Sequence, residues 1–323
     1  MPDTRILCFA RGSGASPGTA PRGVAHSAKH IPRGERLNQQ FPSPWHLKRL
    51  TFALAFALIV PLPAQARIHQ LAWLSDYAVA TRLAQQSGKK LLIWIGKPKD
   101  QVARDLWKKV NKDPRFARAM SRFVFARVAA KPLLGHVSLK AMLGKHGVAI
   151  IDWSQRCSAN YGHVVSVFPF RRKVPPTHQD LHLLLKLPNG SLTQRTLIFA
   201  VRKHIEKPQS TTGSCSPMLL REAEKHSQHQ AEILSQGHHN WERRFPEITN
   251  RLPKKQNLVA QEVCAESWPG EKLLEAAEEC VHSWRQSNGH WRAVSGRHSF
   301  YGYDMKRGKN GIWYATGILG TKP

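Results

Sequence analysis

Apolar residues recur along this chain in two rhythms. Between residues 73 and 90, Tyr77, Ala80 and Ala84 follow a helical period, and Gly88 with two lysines closes the segment. "LLIWIG" (91–96), "FVFARVA" (123–129), "VAIIDW" (148–153) and "HVVSVFPF" (163–170) are short apolar runs of buried-strand length. Helical patterns stand between them at 99–110, 115–123 and 133–147. This alternation predicts an α/β sheet covered on both faces.

The second half reads as helices first and strands last. "SLTQRTLIFAVRKH" (191–204) has helical spacing, with Ser191 or Thr193 as its cap. Residues 206–217 are a loop by composition, and a long helix follows over 218–236. "NLVAQEVCAES" (257–267) reads as a turn or short helix. Pro269 is expected as the first residue of a helix reaching 287, whose stripe is Leu273, Leu274, Ala277, Cys280, Val281 and Trp284. "SFYGYDM" (299–305) and "GIWYATGIL" (311–319) form a hairpin about "KRGKN". The basic, proline-containing stretch from 171 marks a boundary, with 173–190 expected as a linker, in which the apolar "LHLLLKLPNGS" (181–191) reads as a helix turn belonging to either domain.

Length and charge add a compartment to this picture. A chain of 323 residues suggests two domains, and 41% hydrophobic content suffices for buried cores. The net charge of +28 draws such a chain toward anionic surfaces, although the basic residues are scattered, as on a solvated exterior. "HLKR" (46–49) precedes "LTFALAFALIVPLPAQA" (50–66), which ends in Ala64-Gln65-Ala66. A basic start, a short apolar stretch and small residues at the end make 46–66 an expected signal peptide, cleaved after Ala66. The apolar run breaks at Pro61 and is too short for a permanent transmembrane anchor. Residues 1–45, rich in Gly, Pro, Ser and Arg, are expected to be disordered or a spurious extension. Export, to the periplasm or outside the cell, removes nucleic acid as a partner and leaves anionic envelope polymers. Of the cysteines, Cys157, Cys215, Cys264 and Cys280 remain after cleavage, open to three pairings or to free buried thiols.

The candidate chemistry gathers in three places: "GHHNWERR" (237–244), Glu262, and "WRQSNGHW" (284–291). Read alone, His290 closes a helix, with Gly289 supplying a left-handed stop and the imidazole facing the helix dipole. Arg243 and Arg244 are expected beside buried carboxylates or loop carbonyls. His282 and His298 read as surface histidines. Trp284 reads as core, and Trp291 and Trp313 as core or cleft lining.

Two resemblances follow from these stretches. Residues 68–170 resemble the thioredoxin-like fold through "SGKKLLIWI" and "GVAIIDWS…YGHVVSVFPF". The paired cysteines of the redox members should follow the first strand, yet 96–103 reads "GKPKDQVA", and no proline precedes the late strand. A non-redox scaffold or docking domain over 67–172 is implied. Residues 191–320 resemble the CAP superfamily (cysteine-rich secretory, antigen 5, pathogenesis-related 1; SCP-like) through "GHHNWERR", the glutamate of "QEVCAES", "SWRQSNGHW" and "YGYDM…GIWYATGI". This implies an α-β-α sandwich with a central cleft where two histidines and acidic residues hold a divalent cation. By position, His239 or its neighbour His238 is the first histidine, Glu262 the carboxylate and His290 the second histidine. Ser287 stands where a second acid is expected.

The implied cleft is therefore His238, His239, Glu262, Ser287, His290 and Trp291, with His239, Glu262 and His290 as ligands of Zn²⁺ or another divalent cation. The implied function is binding of a lipid, peptide, glycan or other small ligand without catalysis. A metal-dependent envelope peptidase or esterase, with Ser287 imaginable as a nucleophile, is the alternative. A basic adhesion module for anionic envelope polymers is the third reading.

Overall fold

The computed structural model describes residues 73–96, 101–114, 118, 121–129, 139, 146–170 and 176–322. The expected signal peptide with Ala64 and Ala66, the 1–45 extension, and most of the helical patterns at 115–123 and 133–147 lie outside the described residues. Element labels below number the described elements in chain order.

The first sheet is built as the apolar runs dictate. Helix α1 (Tyr77–Ser87) starts where Asp76 accepts a hydrogen bond from the Val79 N–H at 2.9 Å. It stops at Gly88, whose φ of 59° suits a residue without a Cβ. Strand β1 (Lys90–Ile95), helix α2 (Gln101–Asn111), and strands β2 (Phe123–Val128), β3 (Gly147–Ile151) and β4 (Val164–Pro169) follow. The strand order is β2-β1-β3-β4: β1 pairs parallel with β2 and antiparallel with β3, and β3 pairs antiparallel with β4. Residues 91–95 of β1 and 148–151 of β3 are all buried, because these central strands are covered on both faces.

The expected linker at 173–190 carries structure instead. Helix α3 (His178–Leu185) opens with Thr177 and Asp180 capping each other, and Leu181, Leu184, Leu185 and Leu187 are buried. Helix α4 (Leu192–Lys203), capped by Ser191, follows directly. Its Arg195 is buried among the ends of the first half. The Nε donates to the Val165 carbonyl (3.0 Å) and Ser166 Oγ (2.7 Å), Nη1 to the Leu187 (3.1 Å) and Pro188 carbonyls, and Nη2 to the Leu184 carbonyl (3.3 Å). Burial pulls the pKa of Arg195 down to about 10, with the Asp152 charge opposing that shift. One apolar core runs from β1 through α3 and α4 into the second half. The segment read as a boundary because its five leucines sit between Pro176 and Pro188.

The second half contains the two-residue strand β5 (Ser214–Cys215), helices α5 (Pro217–Ile233) and α6 (Trp241–Asn250), and strand β6 (Val259–Glu266). Helices α7 (Leu273–Gln286) and α8 (Asn288–Ser295) and strands β7 (Phe300–Arg307) and β8 (Trp313–Thr321) complete it. The sheet order is β5-β7-β8-β6, and the expected hairpin is the antiparallel β7–β8 pair. Register places Tyr303, Gly317 and Val263 side by side on one face, and Asp304, Thr316 and Cys264 on the other. The first face packs against α4 and α7, and the second against α5 and α6. The result is a helix–sheet–helix arrangement within an α/β chain. Gly302 permits the close seat of α5: a Cβ there would stand 2.3 Å from the Leu219 carbonyl carbon.

Two expected elements differ. Residues 257–267 hold a strand of eight residues rather than a turn or short helix, paired along its length with β8. The strand rhythm was masked because Glu262 and Cys264 occupy buried positions on the α5 side, where an apolar residue would have marked it. Pro269 lies before the helix rather than at its first position. The Gly270 N–H donates to the Gly311 carbonyl at 3.2 Å, and α7 begins at Leu273, where Glu275 accepts from the Lys272 N–H. Among the described residues no helix is long and apolar enough to cross a membrane.

Candidate functional site

Helix α5 brings polar side chains onto the sheet. Leu219, Ala223, His226 and Gln230 recur along its buried side, so His226 and Gln230 stand where apolar residues would continue the stripe. The Gln230 Nε2 donates to Thr316 Oγ1 at 2.8 Å, and Ser227 Oγ donates to Asp304 at 2.7 Å. Beyond α5 the chain reverses sharply, with Leu234 (φ 57°) and Asn240 (φ 55°) both left-handed. That reversal places His238 at the edge strand β6.

There a chain of contacts runs from the interior to the surface. Arg244 Nη2 donates to Glu262 Oε2 at 2.6 Å. Glu262 Oε1 lies 3.1 Å from His238 Nδ1, and His238 Nε2 lies 3.2 Å from His290 Nε2. The Glu262 carboxylate is fully buried, whereas the His238 side chain is 42% exposed. An ionised Glu262 fixes His238 as the Nδ1–H tautomer and leaves the Nε2 lone pair facing outward, where the His290 Nε2–H can donate to it. Burial pushes the pKa of Glu262 up, but its hydrogen bonds from His238 and Arg244 and the nearby positive charge outweigh this and hold it below the usual carboxylate range. His290 is pushed down, first by burial and then by the neighbouring His238.

A second histidine approaches the same carboxylate from the inside. His226 Nε2 is 2.9 Å from the Gly237 carbonyl and 3.6 Å from Glu262 Oε1. Burial lowers its pKa to about 4, against the raising influence of Glu262, so the ring is neutral. Cys264 Sγ lies 3.8 Å from His238 Nδ1, and burial followed by the Glu262 charge pushes its thiol pKa up. The cysteines at 157, 215, 264 and 280 are all free.

The expected cleft residues divide under this geometry. His238, Glu262 and His290 come together. His239 turns away: its Nε2 faces the Ser235 carbonyl at 3.1 Å, and its ring stands against His226 and His229. The vicinal pair cannot both face His290 because successive side chains leave this turn in different directions. His290 does not close a helix. α7 ends at Gln286, and Ser287 is the junction residue that precedes α8, so His290 sits in the first turn of a new helix. Gly289 is helical within α8 and supplies no left-handed stop. Trp291 points elsewhere, with its ring 4.9 Å from His204 and 5.4 Å from the Arg285 guanidinium. Ser287 makes backbone hydrogen bonds to both helices, through its N–H to the Trp284 carbonyl and its carbonyl to the Trp291 N–H.

Of the supporting residues, Arg244 holds Glu262 as expected, while Arg243 is exposed. His298 is buried rather than on the surface, with its Nε2 2.6 Å from the Ala293 carbonyl. Trp284 is in the core. His226 and Cys264 were missed. The signal for His226 was a histidine on the apolar stripe of an otherwise regular helix; Cys264 had none until its strand was placed.

The donor set fits a divalent transition metal. Two imidazole nitrogens about 2.0–2.1 Å from a tetrahedral zinc stand roughly 3.3 Å apart, close to the 3.2 Å between the His238 and His290 Nε2 atoms. In that arrangement Glu262 orients His238 through Nδ1 and is not itself a ligand.

No protein-family model matches the chain, and no curated protein matches it. Among solved structures, a thioredoxin from Thermus thermophilus, determined in solution, is similar at 19% identity over 36% of this chain and 85% of that one. Its TM-score of 0.27 is too low to support an argument about fold or function.

Proposed function

We propose that the chain is an exported binding protein whose C-terminal half, read as CAP-like, takes a lipid, peptide, glycan or other small ligand at the His238–Glu262–His290 surface. The observation that carries this reading is the relay Arg244–Glu262–His238–His290, which runs from a buried carboxylate to a half-exposed imidazole pair. A buried, ionised glutamate is costly. Here it is committed to orienting one solvent-reaching histidine, an arrangement suited to presenting an Nε2 lone pair to a ligand or cation.

His238 and His290 would hold a Zn²⁺-class ion through their Nε2 atoms, with the remaining positions open to ligand. Such an ion supplies Lewis acidity toward a carbonyl, phosphate or carboxylate group. This chain's own residues then orient the imidazoles, with Glu262 fixing the tautomer and Arg244 keeping Glu262 ionised. The first half is read as a thioredoxin-like scaffold that serves as a docking domain.

Metal analysis of the purified protein beside its His290→Ala variant tests the reading. Zinc bound by the parent and reduced by about one equivalent in the variant supports it. Equal metal content in both would remove His290 from the ligand set.

A further inference from the structure

Beneath the imidazole pair lies a second group of donors that the outer relay does not use as ligands. His226 on α5 and Glu262 and Cys264 on β6 offer one nitrogen, one oxygen and one sulfur, all within 4.8 Å of one another and all buried. His226 Nε2 and Glu262 Oε1 are 3.6 Å apart. A tetrahedral ion with bonds of about 2.0–2.3 Å to N, O and S needs ligand separations of roughly 3.3–3.6 Å, so modest side-chain movement would close the set. We propose that His226, Glu262 and Cys264 form a buried site for a zinc-class transition-metal ion, distinct from the surface pair His238 and His290.

Three arguments carry this. First, the donors come from two different layers, so an ion here would clamp α5 to the edge strand β6. Among the described residues that strand ends the sheet order and pairs with β8. Second, the chemistry of the set is selective. A thiolate with an imidazole and a carboxylate favours zinc or cobalt over magnesium or calcium, which require oxygen ligands. Third, the outer contacts of the carboxylate survive. Arg244 engages Oε2, leaving Oε1 to face the ion, and His238 Nδ1 stands beside the set, 3.1 Å from Oε1 and 3.8 Å from Cys264 Sγ.

Binding would displace one proton from Cys264. It would also require His226 to carry its proton on Nδ1, giving up the contact between Nε2 and the Gly237 carbonyl at 2.9 Å. With two anionic ligands and a dication the site is neutral apart from Arg244, so burial is tolerable. Cobalt makes the sulfur ligand visible, because thiolate-to-cobalt charge transfer absorbs in the near ultraviolet where imidazole and carboxylate complexes do not.

The experiment is an anaerobic Co²⁺ titration of the full chain under reducing conditions, followed by optical spectroscopy. The charge-transfer band should appear in the parent, persist in His290→Ala and in Cys280→Ser, and vanish in Cys264→Ser. No band in the parent, or a band that survives Cys264→Ser, overturns the proposal. X-ray absorption on the zinc-loaded parent needs no variant: a sulfur neighbour at about 2.3 Å supports the site, and a shell of nitrogen and oxygen alone refutes it. The two metal readings fail separately, since loss of metal in His290→Ala concerns the surface pair and loss of the sulfur signature concerns the buried one.

Discussion

The two sheets bury different things on the faces that helices cover. In the first, residues 91–95 of β1 and 148–151 of β3 present an unbroken series of aliphatic side chains and Trp94, and the titratable group in these two strands, Lys90 at the start of β1, pairs with Asp152 at 3.6 Å. In the second, the face beneath α5 buries Glu262, Cys264, Thr316 and Asp304, met from above by His226, Ser227 and Gln230. Each of these has a partner, as in Gln230 to Thr316 at 2.8 Å and Ser227 to Asp304 at 2.7 Å. Apolar burial stabilises by area and needs no specific geometry. A buried polar layer contributes little net stability and is disrupted sharply when one member is lost. The candidate site lies at the edge of this polar layer, whereas Ser166 in β4 and Asp152 just past β3, buried polar residues of the first sheet, stand near Arg195.

The largest expected effect lies at the join between the two. Arg195→Met leaves the Val165, Leu184, Leu187 and Pro188 carbonyls without their donor. Urea unfolding should show a loss of about 3–5 kcal/mol, since several buried carbonyls each lose a charge-assisted hydrogen bond. A loss under about 1 kcal/mol would mean the halves hold together without it.

The contrast between the sheets can be tested by matched substitutions. Trp94→Ala in the first sheet should cost about 3–5 kcal/mol through cavity formation. Thr316→Val in the second conserves volume yet strands the Gln230 amide, and should cost about 1–3 kcal/mol. If Thr316→Val were neutral, the polar layer would be dispensable and the contrast would fail.

A smaller effect follows from pH, measured with chelator present. The unfolded chain protonates His226 near 6.5, whereas the folded chain keeps it neutral down to about 4. The folded state therefore binds fewer protons between those values. Stability from this group is complete above about pH 6.5, declines as pH falls toward 4, and levels off below. The denaturation midpoint of the parent should fall more steeply across that window than that of His226→Gln, which retains an amide donor for the Gly237 carbonyl. Equal slopes would contradict a buried neutral His226.

Legibility in the sequence followed the same division. The first sheet was readable because its apolar runs were uninterrupted, and the β7–β8 hairpin because its aromatic strands flank a turn-rich loop. Strand β6 was not readable, since Glu262 and Cys264 broke the alternation at the positions that matter to the site. Helix α3 was readable only as an apolar helix turn, because the flanking prolines obscured its start and its place in the core. His290 and Glu262 could be singled out from their sequence surroundings, but choosing between His238 and His239 depends on the direction in which each side chain leaves the turn. His226 was visible only as a polar interruption in an apolar stripe. The features that carry the proposed chemistry are thus the ones that weakened the structural signal.

The choice within the histidine pair offers the most direct test of the account. Zinc titration of His238→Ala and His239→Ala, compared with the parent, separates two neighbouring residues of the same kind. The account predicts that His238→Ala weakens binding by at least about tenfold and that His239→Ala leaves it within about twofold, because only His238 is oriented by Glu262 toward His290. Loss of binding in His239→Ala with retention in His238→Ala would contradict it.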